Sequence, residues 1–305
     1  MTAQAEKISA STEAGAPGCK LCGAGTAHLL EKSGFETLKC QNCGFMFAVL
    51  PADYDAKAIY RDDAYWNGGR DYGYKDYEQE WIAAAHCHRT RLARMKRLQK
   101  PRRLLEIGCA AGFFLREARS DGWDVAGVEI SELMRQHCAK VVDCPVYPSL
   151  DEVIESGQRF DCVAMFEVIE HVSNPPAFLR QVRELLVPGG LLAMSTPNFE
   201  GPDAALDPNH RLWIPPAHIC YFTPRTLAGS VREAGFSIVA LEGLFGSIEL
   251  PMPPLVCALL APFRRGKRLR PRGLIGNLIK RYQRRRADFL RFANYFELYA
   301  RKIGA

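Results

Sequence analysis

Beyond Arg102, the apolar positions alternate between two spacings. Runs of about four to eight apolar residues indicate buried strands, and the segments between them place apolar residues at helical spacing. Ser131 and Thr223 stand where they would cap two of these helices. The predicted strands are RLLEI, WDVAGVEI, CPVYP, FDCVAMF, LLAMSTPN, SIVALEG and ANYFELYARK, and the predicted helices are FFLREARSDG, SELMRQHCAK, NPPAFLRQVRELLVPGG and TPRTLAGSVREAGF.

This succession of strands and helices predicts an α/β fold with a doubly wound, mainly parallel sheet. Upstream of it, IAAAHCHRTRLARMKRLQK predicts one more helix. Changes in composition divide the rest of the chain. The expected parts are a flexible tail (1–17), a cysteine-bearing unit (18–51), a tyrosine-rich helical segment (52–100) and the α/β domain (101–303) with a basic and apolar insertion (244–291).

The turn after the first of these strands, LLEIGCAAGFF, is a candidate ligand-binding turn. Gly108 and Gly112 allow backbone to approach a ligand without an intervening Cβ. The dinucleotide fingerprint needs a third small residue at the position that Phe113 occupies here. The pattern is instead E-x-G-x-A-x-G, with an acid two residues before the first glycine, which disfavours a pyrophosphate.

Two acids near this turn favour a cationic ligand. Glu106 lies two residues before Gly108, and Glu129 ends the next strand, where a carboxylate can accept both hydroxyls of a ribose. S-adenosylmethionine carries an ammonium and a sulfonium but no phosphate, so it fits both acids. The alternative is a structural turn that binds no ligand.

Five segments in this order resemble the class I S-adenosylmethionine-dependent methyltransferases: LLEIGCAAGFFL, GWDVAGVEIS, FDCVAMFEVIEHV, ELLVPGGLLAMSTPN and REAGF. The resemblance covers about Arg102 to Lys302. It implies a Rossmann-like, seven-stranded sheet whose last strand is antiparallel. Ala110 departs from the family, in which many members have glycine. The residues that the resemblance assigns to the cofactor are Glu106, Gly108, Cys109, Ala110, Gly112, Glu129, Ile130, Phe166, Glu167 and His171.

Four cysteines form two close pairs, C-x2-C, with 17 residues between the pairs. Tetrahedral zinc needs four converging thiolates, and two such turns deliver two each. We therefore expect a structural zinc ribbon, with chance spacing or a redox pair as the alternative. A zinc ribbon before this kind of domain resembles bacterial methyltransferases of sugars or other small metabolites, with zinc-ribbon RNA methyltransferases as the competing likeness. The predicted ligands are Cys19, Cys22, Cys40 and Cys43.

The loop after the fifth strand, IPPAHICYFTPRTL, carries the candidate catalytic residue His218. In the zinc-ribbon sugar methyltransferases, a histidine similarly precedes YF and serves as base in some members. Those members also have an acid and a tyrosine, at the positions that Ala217 and Pro215 hold here. The alternative is a histidine that fastens the loop to its own backbone. His210 is a second candidate in the same loop.

Charge is unevenly spread over the 305 residues, whose formal net charge is +6. Residues 264–291 hold 12 Lys or Arg and one acid, a charge of +11, so the remainder sums to −5. This composition, next to the apolar stretch 250–263, predicts peripheral contact with the inner face of a membrane through 250–291. An RNA footprint or a face packed on the domain are the alternatives. Eleven dispersed cysteines and no secretory signal favour the cytoplasm.

The function expected from these features is O-methylation of a sugar or related small metabolite, with a lipid-linked glycan included. The alternatives are an RNA methyltransferase and a module that binds the cofactor without turnover. The oligomeric state stays open. An aromatic group upstream of the domain is expected either to cover the cofactor and stack on a sugar or to form the core of a helical cap; it comprises Tyr60, Tyr65, Trp66, Tyr72, Tyr74 and Tyr77.

Overall fold

The computed structural model describes residues 16–69, 85–201, 204, 212–244 and 293–304. Several of the sequence predictions fall outside these residues. They concern the tail up to residue 15, Tyr72, Tyr74, Tyr77 and His210, and most of the insertion 244–291.

A seven-stranded sheet forms the centre of the α/β part and confirms the predicted fold class. Its strand order is β10-β11-β8-β7-β4-β5-β6. The strands from β6 to β8 pair in parallel, whereas β11 is antiparallel to both β8 and β10. The bounds are β4 Arg103–Ile107, β5 Asp124–Val128, β6 Val146–Tyr147, β7 Phe160–Phe166, β8 Leu186–Pro197, β10 Phe236–Leu244 and β11 Tyr295–Lys302.

Helices cover this sheet, and their capping residues agree with the sequence. The Ser131 hydroxyl accepts from Met134 N, and the Thr223 hydroxyl accepts from Thr226 N. A further 3-10 turn, Ile169–His171, follows β7. The helices are α1 Ala58–Arg61, α2 Ala85–Leu98, α3 Phe113–Ser120, α4 Glu132–Val141, α5 Leu150–Glu155, α6 Pro175–Leu185 and α7 Pro224–Glu233.

The end of α6 differs from the prediction. The sequence placed Gly189 and Gly190 at the end of this helix, but the helix stops at Leu185 and β8 begins with the next residue. Leu186 is paired with Phe160 of β7, so the hydrogen bonds of the sheet begin before the glycines. Strand pairing outweighs the local tendency of the two glycines to end an element.

A second, four-stranded sheet joins the cysteine-bearing residues to the α/β part. Its order is β1-β2-β3-β9, with every neighbouring pair antiparallel. The first three strands are β1 Thr26–Lys32, β2 Phe35–Cys40 and β3 Met46–Ala48. The fourth, β9 Cys220–Tyr221, comes from the loop after β8. We call residues 18–51 the ribbon. It supplies three strands of this sheet, and the fourth begins two residues after His218.

A buried ionic group fastens α2 to the sheet. Arg91 Nε donates to Glu297 Oε1 at 2.8 Å, and Arg94 donates to Glu297 Oε2 at 3.0 Å. The Tyr299 hydroxyl donates to the same carboxylate at 2.6 Å. A buried carboxylate is tolerated only when its charge is paired and its lone pairs are occupied, and these three donors meet both needs.

Among the described residues, no helix is long and apolar enough to cross a membrane; the longest, α2, has 14 residues.

Candidate functional site

The glycine turn after β4 is built from left-handed backbone. Gly108 and Gly112 have φ of 71° and 80°, and Ala110 has a φ of 44°. A Cβ on Gly108 would lie 2.8 Å from Val168 Cγ2, and one on Gly112 would lie 2.5 Å from Cys138 Sγ. Both glycines are therefore required by backbone conformation and by space. The turn directs its backbone toward a cavity of about 340 Å³ at the carboxyl end of β4.

Glu106 lies buried beside this cavity, with 5% of its surface exposed. Its Oε2 has no hydrogen-bond partner among the described residues. Burial raises the pKa of this carboxyl well above its ordinary value, and the Arg91 guanidinium partly opposes that rise. A buried carboxylate oxygen without a donor is costly, so the geometry suits a ligand that brings a cation or a donor to it.

Glu129, at the end of β5, is held in a fixed orientation. Its Oε2 accepts from Ala110 N at 2.9 Å and its Oε1 accepts from Ser131 N at 2.8 Å. Each carboxylate oxygen has a second lone pair, so both oxygens keep an acceptor site for a ligand hydroxyl. The backbone of the glycine turn thus positions the acid that the sequence assigns to a ribose.

Phe166 and Glu167, at the end of β7, line the same cavity. The Arg91 guanidinium lies 4.1 Å from the centre of the Phe166 ring, within the range of a cation–π contact. Ser195 Oγ donates to Glu167 Oε1 at 2.6 Å, and Glu167 has a φ of 57°. A non-glycine residue in left-handed backbone is strained, and such strain is concentrated at ligand sites.

Two histidines that line the cavity, His171 and His218, lie against each other, with ring centres 4.9 Å apart. His171 Nδ1 lies 2.7 Å from Ala217 O, and His218 Nδ1 lies 2.8 Å from Leu212 O. A carbonyl oxygen only accepts, so in each ring the nitrogen that faces it, Nδ1, carries a proton. The Tyr60 hydroxyl lies 2.6 Å from the same nitrogen of His171. Burial lowers the pKa of His171 to about 4, which keeps it neutral at pH 7.

A carboxylate lies next to these two rings. Ligand atoms of Glu170, His171 and His218 all lie within 4.8 Å of one another. Thr196 Oγ1 donates to Glu170 Oε2 at 2.9 Å, while Glu170 Oε1 has no hydrogen-bond partner among the described residues. One carboxylate oxygen and two imidazole nitrogens form a donor set that suits a divalent cation or a shared proton.

Aromatic side chains upstream of the domain close one side of the cavity. Tyr60, Tyr65 and Trp66 line it, and Tyr65 and Trp66 also pack on Ala110 and Phe113 of the glycine-turn region. The Tyr60 hydroxyl donates to Ala217 O at 3.0 Å, which places it beside the two histidines. These three residues are packed together and line the cavity, while a role in covering the cofactor or stacking on a sugar stays a prediction.

A second cavity of about 760 Å³ continues the groove toward β6. The two cavities share Tyr60, Gly108, Glu129, Ile130, Val168 and His171. Beyond these, the second is lined by Pro148, Ser149 and Leu150, which directly follow β6. The groove therefore follows the carboxyl ends of β7, β4, β5 and β6, as expected for a ligand of an open parallel sheet.

Residues 79–241, more than half of the chain, match a family described as a methyltransferase domain. The chain belongs to this methyltransferase domain family. It is 31% identical, over 156 residues, to a ubiquinone biosynthesis O-methyltransferase of Cereibacter sphaeroides; the match covers 47% of this chain and 63% of that protein. A second relative of the same description, from Methylobacterium nodulans, is 30% identical over 46% of this chain and 62% of its own length. The chain thus spans less than two thirds of these relatives.

The methyltransferase fold is shared with solved structures. Phosphoethanolamine N-methyltransferase 2 of Haemonchus contortus, in complex with S-adenosyl-L-methionine, superposes with a TM-score of 0.50 at 15% identity. The superposition covers 92% of this chain and 71% of that one. At this identity the likeness concerns the fold alone.

The cavity at the carboxyl end of β4 brings together most of the residues that the sequence nominated. One cavity is lined by Glu106, Gly108, Cys109, Ala110, Glu129, Ile130, Phe166, Glu167, His171 and His218. Gly112 is the N-cap of α3 behind the turn. Sequence reasoning missed Arg91, Glu170 and Pro148–Leu150. The third strand, which precedes Pro148, has only two residues and so gives no periodic signal for the segment after it.

The four cysteines predicted as metal ligands also converge. Cys19 Sγ lies 3.6 Å from Cys43 Sγ, Cys22 Sγ lies 3.5 Å from Cys40 Sγ, and the four lie within 4.8 Å of one another. With a Zn–S bond of about 2.3 Å, a tetrahedron has sulfur–sulfur edges of about 3.8 Å. Backbone N–H groups of Leu21 and Asn42 each donate to a cysteine sulfur at 3.4 Å, which stabilises thiolates.

Proposed function

We propose that this protein transfers a methyl group from S-adenosylmethionine to a hydroxyl oxygen of a small-molecule acceptor, with His218 as general base. One observation carries the proposal. The hydrogen bond from His218 Nδ1 to Leu212 O orients the imidazole ring, and this ring lines the same cavity as Glu106 and Glu129. A proton acceptor and a cationic cofactor can therefore meet in one enclosure.

The lining of the two cavities supports a position for each part of the cofactor. The ammonium of the methionine part would satisfy the unpartnered oxygen of Glu106, and the ribose hydroxyls would occupy the remaining lone pairs of Glu129. The adenine would lie in the second cavity against Ile130 and Pro148–Leu150. Gly108 permits the close approach of backbone in the middle, because a Cβ there would already meet Val168.

Besides binding the cofactor, the chain needs to supply only a proton acceptor for the proposed reaction. S-adenosylmethionine, when bound, supplies a methyl group on a sulfonium. His218 Nε2 would accept the acceptor's hydroxyl proton as the oxygen attacks, and Leu212 O would stabilise the resulting imidazolium through Nδ1–H. His171, whose pKa is lowered to about 4, stays neutral and does not repel that charge.

For the acceptor we propose a hydroxyl on a ring. The aromatic wall of Tyr60, Tyr65 and Trp66 provides flat, apolar surface with polar tips. Relatives described as ubiquinone biosynthesis O-methyltransferases support an aromatic ring. A sugar hydroxyl is the second candidate, since aromatic faces of this kind also stack on sugar rings.

The proposal can be tested with cofactor labelled at its methyl group. The full chain is incubated with a panel of phenols, catechols, sugars, nucleotide sugars and RNA, and the label is followed into product. Transfer to oxygen of a ring hydroxyl is expected. Transfer to RNA alone would support the alternative acceptor class, and calorimetric binding of cofactor without transfer to any compound would support a non-catalytic binding module.

We also propose that the ribbon binds one zinc ion through Cys19, Cys22, Cys40 and Cys43. The distances among the sulfurs and the N–H···S contacts support the assignment. All four positions of a tetrahedral ion are then filled by protein, so this site is structural. Elemental analysis of the purified chain is expected to give one zinc per molecule, and about none after Cys43→Ser.

A further inference from the structure

The loop that carries His218 is attached directly to the ribbon. β9 begins two residues after His218, and Cys220 in it is paired with Phe47 of β3. Next to this pair, Ala48 N donates to Ile219 O at 3.0 Å. The residue that follows the candidate base is thus fixed by a main-chain hydrogen bond from the cysteine-bearing sheet.

The opposite side of the same segment is attached to the cofactor side of the cavity. Ile219 N donates to Glu170 O at 2.9 Å, and Cys220 Sγ donates to Val172 O at 3.2 Å. Both acceptors flank His171 in sequence. The segment after His218 is therefore held between β3 on one side and the turn of His171 on the other, and it is fully buried there.

β3 depends in turn on the cysteine turn that precedes it. It has three residues and starts three positions after Cys43. Cys40 N donates to Phe45 O at 2.8 Å, and the Phe45 ring lies 5.0 Å from that of Phe222. On its other side β3 pairs with β2, which ends at Cys40. Short strands do not persist by themselves, so we expect β3 to depend on the closed cysteine turn that joins it to β2.

We propose that metal binding by the four cysteines positions His218: the metal fixes β3, β3 fixes β9, and β9 holds the base at the cavity. This inference rests on the zinc site and the base role proposed above. The two acids proposed to bind the cofactor lie outside this path: Glu106 is on β4 and Glu129 directly follows β5, and these strands pair with each other inside the large sheet. Loss of the metal should then impair acceptor chemistry and leave cofactor affinity intact.

Two variants separate the metal from the strand pairing. Cys43→Ser removes one thiolate, whereas Ala48→Pro keeps all four cysteines and removes the N–H that donates to Ile219 O. Cys87→Ser, an exposed cysteine on α2, is the matched control. Each full-length protein is examined by hydrogen exchange with mass spectrometry over residues 212–223 and 104–107, by zinc analysis, and by calorimetry with S-adenosylhomocysteine.

Both Cys43→Ser and Ala48→Pro are expected to raise exchange in 212–223 by about tenfold or more, as in local opening. Exchange in 104–107 and the affinity for S-adenosylhomocysteine should stay within about twofold of wild type. Ala48→Pro should retain zinc, and Cys87→Ser should match wild type in every measurement.

Unchanged exchange in 212–223 after zinc is lost would overturn the proposal, and so would a parallel loss of cofactor affinity, which would indicate general unfolding. If the wild-type protein contains no zinc, then both the proposed zinc site and the proposed role of the metal in fixing β3 are wrong. If a variant shows raised hydrogen exchange in 212–223 and still transfers methyl groups at the wild-type rate, then the loop need not be held in place. That result would also overturn the proposal.

Discussion

Glu129 combines two tasks in one side chain. Its oxygens accept the N–H groups of Ala110 and Ser131, and this pairing fixes the carboxylate at the edge of the groove. Burial raises its pKa, and the backbone donors oppose that rise. Burial outweighs these donors, because the pKa remains raised, and each carboxylate oxygen keeps a second lone pair that could accept a ligand hydroxyl.

Replacing this acid tests the ribose contact. Glu129→Gln keeps the size of the side chain and removes the charge and one acceptor. A charge-assisted hydrogen bond contributes about 1.5–3 kcal/mol, so the Kd for S-adenosylhomocysteine should rise about 10- to 150-fold. Asp143→Asn, at a fully exposed acid that lines neither cavity, is the control and should leave the Kd unchanged. An unchanged Kd in Glu129→Gln would place the ribose elsewhere.

His218 offers a sharper test, because its two candidate roles use different nitrogens. The side-chain amide of His218→Asn can still donate to Leu212 O, as Nδ1 does now, but it provides no base. If Nε2 is the general base, Asn and Ala variants should both lose about 10²- to 10⁴-fold in turnover, with cofactor affinity retained. If the histidine only fastens the loop, Asn should restore turnover and Ala should not.

At the scale of elements, the turn between β4 and α3 shows how packing selects glycine. The N-cap of α3, Gly112, has left-handed backbone and lies against α4, where Cys138 and Val142 leave no room for a Cβ. This contact fixes the turn against α4. It therefore also fixes the side of the turn that faces the cavity.

Gly112→Ala is therefore expected to lower the free energy of unfolding for two reasons, and Gly122→Ala isolates one of them. Left-handed backbone costs a residue with a Cβ about 1–2 kcal/mol, and forcing Cβ against Cys138 adds about 1–3 kcal/mol. Gly122→Ala has the first cost alone, since its φ is 90° and no atom lies within 4 Å of the added Cβ. Urea unfolding should show a clearly larger loss for Gly112→Ala. Equal losses would mean that α4 can move aside.

The sequence is informative about elements wherever a pattern extends over a turn or more. The strands β4, β5, β7, β8, β10 and β11 were predicted from apolar runs, and Ser131 and Thr223 were predicted as caps. The pair β3–β9 could not be predicted. It joins three residues to two across a long separation in the chain, and segments this short have no periodicity. The end of α6 was wrong because strand pairing begins before its two glycines.

The same contrast holds for the site. Glu106, Gly108 and Glu129 could be nominated because they lie at strand ends, where topology brings distant residues together. Arg91 could not, because it lies on a helix outside that pattern and meets Phe166 and Glu297 only after the chain has folded. The catalytic and binding roles of the nominated residues remain predictions.

At the scale of the whole molecule, buried acids at the pocket make the free energy of unfolding depend on pH. Burial raises the pKa of Glu106 and of Glu170 well above their ordinary value of 4.5. The native state then holds protons that the unfolded chain has released, so this part of the stability is present below pH 4.5 and is lost as pH rises through the raised values. His88 and His171, with pKa values of about 4, act with the opposite sign, and their effect is complete above about pH 6.5.

The contribution of Glu106 to this pH dependence can be isolated by comparing the wild-type protein with one variant. Glu106→Gln keeps the shape and removes the titration, while the histidines and Glu170 contribute equally to both proteins. The free energy of unfolding of the variant minus that of wild type should increase with pH from about pH 5 to pH 8 in the absence of cofactor. Chemical unfolding at several pH values measures it. A flat or falling difference would mean that Glu106 is ionised in the unliganded protein at low pH.

The shared sheet also has a consequence for synthesis. Ala48 of β3 leaves the ribosome well before Cys220 of β9, 172 residues later. At about 5–20 residues per second, that delay is about 10–35 s. During this time the nascent chain presents the edge of β3, together with Phe45 and Phe47, to whatever else is nearby. Chaperones that bind apolar strand edges, and a supply of metal early in translation, should therefore influence the yield of native protein more than they influence its final stability.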